Sequence, residues 1–83
     1  MNSEVGSFVV STVFTSDCGY ETAIFDYADT GTVVERYENS EKALIGHEKW
    51  VEFIKSGKRE VVALGYGKSI PDKNVILKDV GLN

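Results

Sequence analysis

The sequence predicts an α+β domain: a three-stranded antiparallel meander, one amphipathic helix packed on it, and one or two returning strands, in the order β-β-β-α-β-(β). Three observations carry this. The run from Ser7 to Thr15 is dense in β-branched and aromatic residues. Two alternating segments, Tyr20 to Tyr27 and Thr32 to Tyr37, flank a short loop ending in Gly31. Between Ala43 and Ile54, apolar residues recur at spacings of three and four, the period of a helix.

Residues 1–6 read as a loose polar end. In the first strand Phe8, Val10, Thr12 and Phe14 share one face, and Val9, Ser11 and Val13 the other. Alternation favours the Phe8/Phe14 face for the helix. Ser16-Asp17-Cys18-Gly19 supplies turn chemistry, with Gly19 able to take a positive φ. In the second strand Glu21, Ala23, Phe25 and Tyr27 alternate with Tyr20, Thr22, Ile24 and Asp26, and Ala28-Asp29-Thr30-Gly31 closes a hairpin.

Asn39 or Ser40 is suited to cap the helix, because its side-chain oxygen can accept from an amide of the first turn, and Glu41 sits near that positive end. Ala43, Leu44, His47, Trp50, Val51 and Ile54 form the buried stripe; Lys42, Glu48, Lys49, Glu52 and Lys55 face water. Gly57 serves as a left-handed terminator. Gly46, in mid-helix, costs about 1 kcal/mol relative to Ala. It either lets the helix approach the sheet closely or is simply tolerated. Glu60 to Tyr66 reads as a fourth strand, Pro71-Asp72 as a turn, Asn74 to Leu77 as a short edge strand and 78–83 as a second loose end. The expected core is Phe8, Phe14, Phe25, Leu44, Trp50, Val51, Ile54 and Leu64.

A chain of 83 residues has room for one domain, 1–83. With 42% hydrophobic and 27% charged residues it has the composition of a folded protein. Cys18 is the only cysteine, so no intrachain disulfide can form. No signal-peptide pattern opens the sequence, and no run of about 18 apolar residues occurs in it. The expectation is a cytoplasmic protein with no membrane association.

The net charge of −4 hides an asymmetry. Residues 16–41 carry Asp17, Glu21, Asp26, Asp29, Glu35, Glu38 and Glu41 against Arg36 alone, whereas residues 42–83 are net basic. An acidic chain gains no counterion-release attraction to nucleic acid, so general DNA or RNA binding is not expected.

The chemical motifs are sparse. Gly67-Lys68-Ser69 matches the end of a phosphate-binding loop, but Val62 stands where that motif needs its first Gly, and Ile70-Pro71 opposes the helix that should follow. His47, the only histidine, would need a nucleophile, a carboxylate or fellow metal ligands within reach to act. Its place on the apolar stripe beside Trp50 favours a core histidine with its polar tip satisfied. A carboxylate beside a thiol disfavours the thiolate, so Cys18 next to Asp17 is expected to be an incidental turn cysteine and not a nucleophile. Glu21, Asp26 and Glu35 could pair as hydrolytic carboxylates, but charges on the wet face of a sheet are their ordinary explanation. No cofactor or metal site is expected, and no enzymatic activity.

The acidic hairpin is the feature that points to function. A strongly negative sheet surface steers toward a basic partner surface, or mimics the charge of nucleic acid. Tyrosines add contact area with a polar tip. The candidate partner-binding residues are therefore Asp17, Tyr20, Glu21, Asp26, Asp29, Glu35, Tyr37 and Glu38. The expected partner is another protein or a second copy of the chain.

Glu21-Thr22-x-x-Phe25, then Glu35-x-Tyr37, then Ala43-Leu44-x-Gly46-His47-x-x-Trp50 resembles small uncharacterised proteins of tailed phages and prophages of Gram-positive bacteria. The resemblance covers about residues 20–54. It implies an accessory or assembly role for a phage-type protein in the host cytoplasm and ties Gly46 to His47, but brings no activity or site residues with it.

Overall fold

The computed structural model describes residues 1–17, 19–65 and 71–79. Cys18, Tyr66 and the Gly67-Lys68-Ser69 segment lie outside the described residues. The order is β1 (Asn2–Val5), β2 (Phe8–Thr15), β3 (Gly19–Phe25), β4 (Gly31–Tyr37), α1 (Ser40–Lys55), β5 (Glu60–Leu64) and β6 (Pro71–Ile76). Strands β1 to β4 form one antiparallel sheet in chain order, and β5 and β6 form a separate two-stranded hairpin.

The meander, the helix and the hairpin loop follow the sequence reading. The first six residues do not. Asn2–Val5 is an edge strand, paired from Asn2 opposite Ser11 to Val5 opposite Phe8 around a turn at Gly6 (φ 61°). A four-residue edge strand with one apolar side chain carries too little alternation to be seen in sequence. At the other end, Pro71 opens β6 instead of forming a turn, as an edge strand allows because its missing N–H can face away from the ladder. The returning strand pairs with β6 and leaves the meander's last strand, β4, without a ladder partner beyond β3 among the described residues.

The helix lies on the face carrying Phe8, Val10 and Thr12 of β2 and Thr22 and Ile24 of β3, all of them buried. A bulge in the β3–β4 pairing then changes the alternation: Ala23 opposes Val33 and Thr22 opposes Glu35, leaving Val34 as the extra residue. Thr32 and Val34 before it, and Glu35 and Tyr37 after it, all turn toward the helix side, whereas Arg36 turns away.

Asn39 is the cap, its side chain accepting from the Lys42 amide at 2.9 Å, and Gly57 ends the helix at φ 89°. The core comprises Phe8, Val10, Ile24, Val34, Val51, Ile54, Val61 and Leu77, with Val5, Trp50, Phe53 and Val75 packed partly against it. Four residues expected there are placed otherwise. Phe14 is 64% exposed and Leu44 52% exposed, Phe25 sits on the sheet face away from the helix, and Leu64 is half-buried. Phe14 falls at the far end of β2 and Leu44 at the margin of the stripe, where the two layers no longer meet.

Val61 and Leu77 bring the hairpin into this core. Polar contacts fasten it: the Tyr27 amide donates to the Lys78 carbonyl at 3.3 Å, Arg59 pairs with Asp79 at 2.8 Å, and the Arg59 guanidinium lies 4.6 Å from the Phe8 ring centre. No helix among the described residues is long and apolar enough to cross a membrane.

Candidate functional site

Between helix and sheet runs a chain of hydrogen bonds. Ser3 Oγ lies 2.8 Å from His47 Nε2, Thr12 Oγ1 lies 2.7 Å from His47 Nδ1 and 2.6 Å from Thr22 Oγ1, and Thr22 Oγ1 lies 2.9 Å from the Tyr37 hydroxyl. Near the Tyr37 end the Glu35 carboxylate accepts from Trp50 Nε1 at 2.9 Å and pairs with Lys49 Nζ at 2.7 Å. Both ring nitrogens of His47 thus have a hydroxyl partner, and the nitrogen that carries the proton sets the direction in which the hydroxyls donate.

Three ionisation shifts accompany this arrangement. Burial pulls His47 below its ordinary value, helped by the N-terminal ammonium and opposed by Glu48. Burial also pushes Tyr37 up to about 12, with the Glu35 charge adding to the rise. Burial raises Glu35, but the Lys49 and Trp50 hydrogen bonds and the Lys49 charge outweigh it and leave the carboxyl below the usual range. His47 does have a hydroxyl at Nε2, as a nucleophile–base pair requires, but its Nδ1 meets a threonine where such pairs place a group that stabilises imidazolium. The sequence gives no warning of the chain, because Ser3, Thr12 and Thr22 are ordinary strand residues until the register aligns them.

The eight candidate partner-binding residues do not share a face. Asp17, Asp29 and Glu38 are exposed, and Glu38 forms only a surface pair with Lys42. Asp26 is 8% exposed and serves its own turn, accepting from the amides of Ala28 and Thr30 at 3.0 and 3.1 Å and from that of Lys78 at 3.3 Å. The turn itself takes its positive φ at Asp29 (62°). Glu35 and Tyr37 belong to the chain under the helix. Glu21 faces away from the helix, paired with Arg36 at 3.1 Å. Tyr20 is half-buried, its ring edge-on to Phe14 at 5.0 Å. Half of the hairpin's candidate residues thus hold the fold together.

Two of the concave surfaces among the described residues bear on binding. A shallow hollow of about 390 Å³ at the open end of the sheet is lined by Met1, Val13, Phe14, Tyr20, Ser40 and Ala43, together with Thr12. A deeper cleft of about 510 Å³ lies between β4 and the β5–β6 hairpin. Its walls are Val33, Ala63, Leu64 and Val75. Arg36, its side chain 7% exposed, reaches Glu21 through Nε and donates from Nη1 to the Gly65 carbonyl at 2.8 Å, tying the sheet to the hairpin. Asp17 and Lys73 also line this cleft. Among the described residues, no group of three His, Cys, Asp or Glu side chains is placed to hold a metal ion. In comparison with known proteins, the chain matches no family model, no curated protein and no solved structure.

Proposed function

We propose that the chain is a non-catalytic accessory protein of phage type, active in the host cytoplasm, that works by binding a protein partner at the Phe14–Tyr20 end of the sheet. The observation that carries this is Phe14. It is a large apolar side chain, 64% exposed, and it meets a tyrosine edge-on beside a hollow instead of standing alone. Isolated exposed apolar residues are ordinary, whereas an aromatic pair rimming a concavity is the composition of an interface anchor. Glu38 and Glu41 flank Ser40 at the rim in sequence, which favours a partner with basic groups around an apolar side chain.

The deciding experiment is capture of partners from a bacterial host lysate by the native chain and by a folded Phe14→Ser variant. Phe14 lies outside the core, so the variant is expected to fold. A protein held by the first and lost by the second supports the reading; equal retention overturns it. A self-associating assembly component is the second reading, supported by the outer edge of β1, which has no ladder partner among the described residues. It predicts a defined oligomer in sedimentation equilibrium.

A further inference from the structure

We propose that the cleft between β4 and the β5–β6 hairpin binds a free α-amino acid with an apolar side chain. The cleft combines four features that this chemistry needs. Its volume, about 510 Å³, falls within the range of about 300–1,000 Å³ in which proteins hold single small molecules. Val33, Ala63, Leu64 and Val75 offer an apolar wall for a side chain.

The charges are the more informative feature. The inner pair, Arg36 and Glu21, is closed on itself at 3.1 Å. The outer pair, Lys73 and Asp17, lines the same cleft from two different elements, and neither residue has an ion-pair partner among the described residues. A neutral cleft carrying one ammonium and one carboxylate that do not meet is complementary to a zwitterion. Lys73 is matched to the ligand's carboxylate and Asp17 to its ammonium group. The buried Arg36–Glu21 pair beneath supplies fixed charges of both signs in a site with apolar walls, where they act more strongly than in water.

The backbone is the fourth feature. β4 is the last strand of its sheet, and no ladder joins it to β5 among the described residues. Alternate N–H and C=O groups of β4 therefore point out of the sheet on the cleft side, and such groups orient small ligands.

The test is an amide-resolved NMR titration of the whole chain with L-leucine, L-isoleucine, L-methionine and L-phenylalanine, each against its N-acetyl and its carboxamide form. The expected result is saturable shifts centred on Val33, Ala63, Leu64 and Val75, with either blocked form at least about tenfold weaker. Lys73→Met should bring leucine down to the affinity of its carboxamide, and Asp17→Asn to that of its N-acetyl form. Both residues are exposed, so the variants should keep the native spectrum, and the ligand series on the native chain decides the matter without them. Absence of saturable shifts with all four amino acids overturns the proposal. Equal binding of free and blocked forms also overturns it, because the cleft would then be only an apolar surface.

Discussion

The ring of Tyr37 lies in the space that a β-carbon on residue 46 would need. Gly46 is therefore a point of contact between helix and sheet. Its hydroxyl bonded to Thr22 and its side chain set by the β4 bulge, Tyr37 has little freedom to withdraw. Gly46→Ala should lower stability by about 1–3 kcal/mol, although alanine alone would favour the helix by about 1 kcal/mol. Combining it with Tyr37→Leu should cost less than the sum of the two single changes, as denaturant midpoints would show.

His47 makes stability fall in acid. Its folded pKa lies below its ordinary 6.5, so the unfolded chain binds the proton more readily. The stability that the neutral ring contributes is complete above the unfolded value and is lost as pH falls below it toward the folded value. Thermal midpoints should decline as pH falls from about 7 to 5, while His47→Gln, less stable throughout, should decline less over that interval. Nitrogen NMR of the native chain at neutral pH should find a neutral ring, and the nitrogen that carries its proton, Nδ1 or Nε2, fixes which hydroxyls of the chain donate.

Tyr37 provides a spectroscopic counterpart. Its pKa of about 12 exceeds the ordinary 10, so in alkali the unfolded chain loses this proton first. Its contribution to stability is complete below pH 10 and is lost as pH rises through 12. Following phenolate absorbance, one tyrosine should titrate late. Tyr37→Phe should remove that component.

Asp26 should behave as a structural residue. Its carboxylate collects amides from Ala28, Thr30 and Lys78, and replacing it leaves donors without an acceptor in a buried setting. Asp26→Ala should cost about 2 kcal/mol or more, with a matching drop in the unfolding midpoint. Charge reversal at this position would then report on folding before it reported on any partner.

What could be read from the sequence was whatever repeats. The alternation through β2, β3 and β4, the three-and-four spacing of α1, the Asn39 cap and the Gly57 terminator all rest on local periods or local backbone chemistry, and the structure has them. β1 escaped because its pairing partner, not its own composition, makes it a strand. The hydrogen-bond chain escaped because it joins residues up to 44 positions apart, through hydroxyls that carry no signature. The apparent acidic surface dissolved for a similar reason. Charge was legible along the chain, but the sites of Arg36, Lys49 and the turn amides that occupy those carboxylates depend on register.

Register also gives β4 two codes for substitution. Before Val34 the even-numbered positions are interior and odd-numbered Val33 borders the cleft; after it, odd-numbered Glu35 and Tyr37 serve the interior and even-numbered Arg36 borders the cleft. A mutational scan of the strand should therefore show tolerance for polar side chains that changes phase once, at Val34. A deletion of that one residue would restore a single phase while keeping every other side chain on its own side, so the loss would be that of one valine rather than of the strand.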